Sequence, residues 1–231
     1  MTRMLRVVVL CVLGLGLAAC GKLQEELAAS QNPFPKSSPL HAPVDRVTRK
    51  LIHEPTYMAR MKGLEPGKAR EMGATLSMNG LGRLELPMLE RRALLVGQLL
   101  EKLPEAQCGE IAKAVTPAQV SRTTDRMLET LATLPQGAID EWFDIAYAAT
   151  LAELQQRPKT QVTEAQVNAS ATALVELLPN DAERERIGRV MSNLPGATDA
   201  DACWAVRTMY TTLPELPEPQ RGHFAWASTQ Q

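Results

Sequence analysis

From residue 44 onward, apolar side chains recur at steps of three and four residues, separated by charged and polar ones. This spacing places the apolar side chains on one face of an α-helix. One such stripe contains Leu89, Ala93 and Val96, and another contains Cys203 and Val206. The chain therefore predicts a series of amphipathic helices.

Prolines preceded by leucine separate these stripes. Proline lacks a backbone N–H and disfavours helix in the residue before it, but it is tolerated in the first helical turn. We therefore predict that each Leu-Pro step ends one helix and often begins the next, with Thr116 and Thr198 as N-caps of two of them. The steps are Leu86-Pro87, Leu103-Pro104, Leu134-Pro135, Leu178-Pro179, Leu194-Pro195 and Leu213-Pro214.

Strand signals are nearly absent. Asn79-Gly80 could turn a hairpin within residues 74–86, but a glycine-rich loop leading into the helix at Pro87 is the expectation there. The predicted fold class is all-α, a compact irregular bundle of about seven to nine short helices. The alternative is a short, curved helical-repeat array, although the Leu-Pro spacing is more uneven than a solenoid period.

The first twenty residues have a pattern of their own. Arg3 and Arg6 precede a short apolar run that ends in Leu17-Ala18-Ala19-Cys20. A charged start, an apolar middle and a small-residue end are typical of a secretory signal. Because a cysteine follows the small pair, the segment resembles the lipobox of bacterial lipoproteins.

The resemblance implies cleavage before Cys20 and acylation of its sulfur and new amino group, palmitate being among the acyl chains. Gly21 favours the outer membrane, since an aspartate at that place often retains this class in the inner membrane. An uncleaved transmembrane helix is an alternative, but 13 apolar residues are fewer than a bilayer requires. A plain secretory signal without acylation is the other alternative.

The predicted organisation has three parts. Residues 1–19 are the signal peptide, residues 20–43 are an acylated N-terminus with a disordered tether, and residues 44–231 are a helical domain. Four prolines argue against packed structure in the tether. Fully extended, residues 21–43 reach about 70–80 Å at roughly 3.3 Å each.

The cysteines change character after cleavage. Cys11 is lost with the signal and Cys20 carries lipid, so Cys108 and Cys203 remain as thiols in an oxidising compartment. We predict a disulfide between them. Two buried free thiols are the alternative, since cysteine is often fully buried.

Candidate catalytic chemistry is sparse. His41, His53 and His223 match no metal-ligand or nucleophile motif. Two acidic groups attract notice, and both are expected to be solvated acids near helix N-termini: Asp140, Glu141 and Asp144, and the pair Asp199 and Asp201. We predict no enzyme, no metal site and no cofactor.

Charge is unevenly distributed. Residues 46–92 carry a formal charge of +5, and residues 93–231 carry −7. The basic half could face anionic lipid or an acidic partner, or lie against the acidic half. Nucleic acid is not an expected partner of an acidic, exported protein.

These features favour a binding protein whose domain faces the periplasm. Aromatic side chains often anchor binding surfaces, so Trp142, Phe224 and Trp226 are the candidate contacts. One form of this hypothesis is an immunity protein that blocks an antibacterial toxin in the periplasm, and another is an envelope-assembly adaptor. A lipid carrier and a cell-wall hydrolase using the first acidic group are further alternatives.

Overall fold

The computed structural model describes residues 32–114 and 117–230, with only the backbone helix described for residues 117–122. The described residues form α-helices and two short 3-10 helices, without a strand, so the predicted all-α class is confirmed. The eleven α-helices exceed the seven to nine predicted. They are α1 (His41–Ile52), α2 (Pro55–Met61), α3 (Pro66–Leu81), α4 (Leu86–Lys102), α5 (Glu105–Ala112), α6 (Pro117–Leu131), α7 (Gln136–Leu154), α8 (Glu164–Glu176), α9 (Asp181–Ser192), α10 (Asp199–Thr212) and α11 (Gln220–Ala227).

The predicted number of helices is too low because of the segment that contains α1 to α3. Its helix breaks fall at Pro55 and Pro66, each preceded by glutamate, so a rule based on Leu-Pro steps does not find them. Between α2 and α3, Gly63 has φ of +77°, in the left-handed region that glycine adopts at little cost. This glycine allows the sharp turn from one helix to the next.

The Leu-Pro steps themselves are breaks, as predicted. α4 ends just before Leu103-Pro104, α6 ends before Leu134-Pro135, and the two 3-10 helices contain Leu194-Pro195 and Leu213-Pro214. Four of the six leucines are buried, at Leu103, Leu134, Leu178 and Leu213. The leucine therefore anchors the turn in the core while the proline ends the helix.

The loop expected within residues 74–86 is wrong, and so is the alternative hairpin. α3 continues to Leu81 and includes Asn79-Gly80. A Cβ atom at Gly80 would lie 1.9 Å from the carbonyl oxygen of Ala149 in α7. Glycine is therefore needed there for close approach of two helices, not for a turn.

The described residues divide into two compact units, residues 32–75 and residues 76–230, with the boundary inside α3. We call them the N-terminal unit and the C-terminal unit. The division falls within residues 44–231, the range that the sequence analysis treats as one domain.

In the N-terminal unit, α1 packs against α2. Their buried side chains include Val47, Leu51 and Ile52 from α1 and Tyr57 and Met61 from α2. Each of the two helices therefore buries apolar side chains, as amphipathic helices do.

The predicted tether is shorter than expected at its C-terminal end. α1 begins at His41, and Leu40 before it is only 2% exposed. His41 Nδ1 donates to the carbonyl oxygen of Phe34 (2.7 Å), and Asn32 Nδ2 donates to the carbonyl oxygen of His41 (3.0 Å). Burial of Leu40 and these bonds give residues 32–43 folded structure despite their prolines.

The C-terminal unit is organised around its last two helices. α10 packs on α4 and most extensively on α5, and α11 packs on α4 and α8. Phe224 of α11 and Tyr210 of α10 meet edge to face, with ring centroids 5.9 Å apart. Aliphatic residues supply most of the remaining core, among them Leu89, Leu174 and Leu213.

A disulfide joins α5 to α10. Cys108 and Cys203 are bonded with their Cα atoms 5.1 Å apart, and they are 0% and 1% exposed. The predicted bond is confirmed, and the alternative of two free thiols is wrong. Beside it, a Cβ atom at Gly109 would lie 2.4 Å from the backbone oxygen of Asp199, so the two helices are in direct backbone contact.

Candidate binding groove

Three carboxylates from α7 line a groove of about 420 Å³ against α4. Asp140, Glu141 and Asp144 supply the acidic side, while Met88 and Ile145 supply apolar surface. The helical spacing of four residues brings Asp140 and Asp144 to the same side of α7. The volume lies within the range of about 300–1,000 Å³ typical of ligand pockets.

Arg91 is the one cation of the groove lining. Its Nε lies 3.4 Å from Oε1 of Glu141, and both side chains are partly exposed, at 55% and 39%. An ion pair this exposed contributes about 0–1 kcal/mol because water screens it. The lining residues thus hold three carboxylates and one guanidinium. Asp140 and Asp144 also interact with other groups of the chain.

The sequence shows the three acidic residues of the groove as a group, but it does not link Arg91 to them. Arg91 and Glu141 are 50 positions apart, and they meet only because α4 packs on α7. The distribution of charged residues along the sequence does not predict that α4 packs on α7. The relation became visible only with the fold.

Trp142, a predicted binding residue, follows Glu141 on α7 and is half-buried against the core. The guanidinium carbon of Arg92 lies 5.6 Å from the centre of its ring, within the reach of a cation–π contact. Trp142 is therefore partly covered by a cation of α4.

The other two predicted aromatic contacts lie in α11. Phe224 is 8% exposed and belongs to the core, while Trp226 is half-buried and donates from Nε1 to the carbonyl oxygen of Thr160 (3.0 Å). Phe224 and Trp226 therefore do not form an exposed binding surface, because α11 packs on α4 and α8. Terminal position did not prevent burial here.

The second acidic pair stabilises the start of α10. Asp199 Oδ1 lies 2.6 Å from Lys113 Nζ, and Asp201 Oδ1 lies 2.7 Å from Arg186 Nη2. Thr198 is the N-cap, as predicted, and its Oγ1 accepts from the backbone N–H of Asp201 (3.1 Å). Hydrogen bonds from Arg186 and then Thr198 hold the pKa of Asp201 below its ordinary value.

Arg186 also stacks on an aromatic ring. Its guanidinium carbon lies 4.0 Å from the ring centre of Trp204. Asp201, Arg186 and Trp204 therefore form one contiguous cluster between α9 and α10, with structural roles of capping and packing.

The three histidines are separated. His41 bonds to the backbone of Phe34, His53 is exposed, and His223 is buried in α11. Within the described residues, no three His, Cys, Asp or Glu side chains are grouped so that they could hold a metal ion. Cys20 and Thr116 lie outside the described residues.

In the part of the chain that the structure describes, none of the helices has the length and apolar character needed to cross a membrane. No family model, curated protein or solved structure matches this chain.

Proposed function

We propose that this chain is a lipid-anchored protein of the bacterial cell envelope whose helical part binds another protein. Acylated Cys20 is the anchor, the outer membrane is favoured over the inner, and the folded part faces the periplasm. The proposal includes no catalytic step, metal or cofactor.

The buried Cys108–Cys203 disulfide is the observation that carries the envelope location. Disulfides persist in the periplasm and are rare in the reducing cytosol. Both cysteines are at most 1% exposed, so the bond fits a structural role more than a redox one. It agrees with the signal at residues 1–19, which independently predicts export.

For the binding role, the acidic groove between α4 and α7 is the best-supported surface. Asp140, Glu141 and Asp144 place carboxylates in the groove lining, and Met88 and Ile145 place apolar surface beside them. Charge complementarity speeds encounter and rejects acidic partners. A basic segment of another protein fits this lining.

Two versions of the proposal differ in the partner. In the first, the partner is a basic antibacterial toxin that acts in the periplasm, and the chain is an immunity protein. In the second, the partner is a component of envelope assembly, and the chain is an adaptor.

The proposed architecture is a bundle rather than a repeat array. It is supported by the packing of α10 and α11 on helices that are distant in sequence.

Co-purification in mild detergent tests the binding role. The variant Asp140→Asn/Glu141→Gln/Asp144→Asn should retain the fold. Its affinity for the partner should fall by about tenfold or more, because the groove loses its carboxylates. The matched control is Glu101→Gln/Glu129→Gln/Glu176→Gln, which removes three exposed carboxylates elsewhere in the C-terminal unit. Absence of any stoichiometric partner, or equal loss in both variants, contradicts the proposal.

Deletion of the gene separates the two versions. Cells lacking the protein are challenged with sibling cells that carry contact-dependent toxins. Selective killing supports the immunity version, whereas a permeable envelope without killing supports the adaptor.

A further inference from the structure

We infer that the N-terminal unit carries a docking surface for anionic phospholipid, formed by exposed cations at the end of α1 and along α2 and the start of α3. This inference rests on the proposed lipid anchor, because the anchor is what brings the unit to a membrane.

Exposed charge in this unit is strongly one-sided. Within residues 32–75, seven cationic side chains are exposed, against two exposed carboxylates at Glu65 and Glu71. The exposed cations are Lys36, Arg49, Lys50, Arg60, Lys62, Lys68 and Arg70. The fold therefore retains the positive charge at the surface of the unit instead of neutralising it internally.

Four of these cations have their charge available to a partner: Lys36, and three that lie close together in sequence around Gly63. Lys68 pairs with Glu71 and Arg49 with Asp45, each at 2.8 Å. By contrast, Arg60, Lys62 and Arg70 form no ion pair or hydrogen bond with other described residues. They lie within eleven positions of one another, across the turn at Gly63 that joins α2 to α3.

The C-terminal unit has the opposite charge. Residues 76–231 hold 14 basic and 20 acidic side chains, whereas residues 32–75 hold eight basic and four acidic. An anionic surface therefore attracts the first unit and repels the second. Such a surface would orient the protein as well as bind it.

Covalent geometry explains why lipid is favoured over an acidic protein. Asn32, where the described chain begins, lies only 12 positions after Cys20. At about 3.3–3.6 Å per residue these positions span at most about 43 Å. The N-terminal unit is thus the first described part of the chain after the anchor, and basic clusters beside a membrane anchor are typical of binding to anionic headgroups.

Vesicle sedimentation tests this surface without its anchor. The chain from residue 20 onward carries Cys20→Ser, so that acylation plays no part in the result. We expect it to bind vesicles of equal parts phosphatidylglycerol and phosphatidylcholine, and to bind phosphatidylcholine vesicles far less. Binding should weaken as salt rises, because the Debye length falls to about 8 Å at physiological ionic strength.

The test variant is Arg60→Gln/Lys62→Gln/Arg70→Gln. Each cation near an anionic surface contributes about a fivefold change in partitioning, so the expected loss is on the order of 100-fold. The matched control, Lys102→Gln/Lys159→Gln/Arg189→Gln, removes the same charge from exposed sites of the C-terminal unit. The control should lower partitioning by less than about fivefold. All six sites are exposed, and circular dichroism verifies that helix content is unchanged.

Three results would overturn the inference. They are equal binding to both vesicle types, unchanged binding of the test variant, and equal losses in the two variants. Selective capture of an acidic protein by this surface, with no vesicle binding, would also overturn it. Failure of the vesicle binding would not bear on whether Cys20 is acylated. Conversely, an unmodified Cys20 in cells would not prevent the vesicle affinity from being measured.

Discussion

The role of Gly80 is predicted wrongly from the sequence. Among short sequence motifs, Asn-Gly is a strong signal for a β-hairpin turn. In the structure it lies inside α3, where the absent side chain allows the backbone of Ala149 to approach. A sequence states that a glycine is present, but it does not state whether the glycine serves a turn or a contact.

Gly80→Ala should destabilise the C-terminal unit by about 1–3 kcal/mol, the usual cost of overpacking. The physical reason is that α3 and α7 must separate to admit a methyl group that would otherwise lie 1.9 Å from a carbonyl oxygen. Urea unfolding measures the change. All three tryptophans, Trp142, Trp204 and Trp226, lie in the C-terminal unit, so their fluorescence follows it.

The control for Gly80 is the same substitution in open space. Gly188 lies within α9, and a Cβ atom there would meet nothing within 4 Å. Gly188→Ala should therefore stabilise the protein by about 0.5–1 kcal/mol, through helix propensity alone. Equal effects of the two substitutions would show that the α3–α7 contact does not depend on glycine.

Among the elements, α5 depends most on its neighbours. It has eight residues, and a helix this short is marginal in isolation. Its disulfide to α10 and the close approach of Gly109 to Asp199 hold it in place. Its stability is thus tertiary in origin.

Reduction of the Cys108–Cys203 bond should lower the free energy of unfolding of the C-terminal unit by about 4–5 kcal/mol, because the bond closes a loop of about 95 residues in the unfolded chain. Urea unfolding with and without reductant measures the difference. The Cys108→Ala/Cys203→Ala variant is the control, since its stability should not respond to reductant. Unchanged stability of the native chain on reduction would contradict this prediction.

Helix breaks could be predicted where proline follows leucine, because the missing N–H of proline and its restriction of the preceding residue are properties of the local sequence. Pairings between helices could not. The groove needs α4 beside α7, and burial of Phe224 needs α11 on α4 and α8. The sequence reveals the acidic residues at positions 140–144 as a group, but only the packing of α7 on α4 makes them one wall of a groove.

Considered as one chain, the protein combines a predicted membrane anchor at Cys20 with two folded units of opposite charge. The basic unit follows the anchor, and the acidic unit carries the groove and the disulfide. The charge difference could be read from the sequence. Only the structure shows that the positive charge is exposed at the surface of the N-terminal unit, because ion pairs with a neighbouring helix would have neutralised it.

Intact mass spectrometry of the protein extracted from cell membranes tests the proposed export and anchoring most directly. We predict a chain that begins at Cys20, carries acyl chains on that residue, and gains the mass of two hydrogen atoms on reduction. A chain that still begins at Met1, or an unmodified Cys20 with two free thiols at Cys108 and Cys203, would contradict the envelope location and the function built on it.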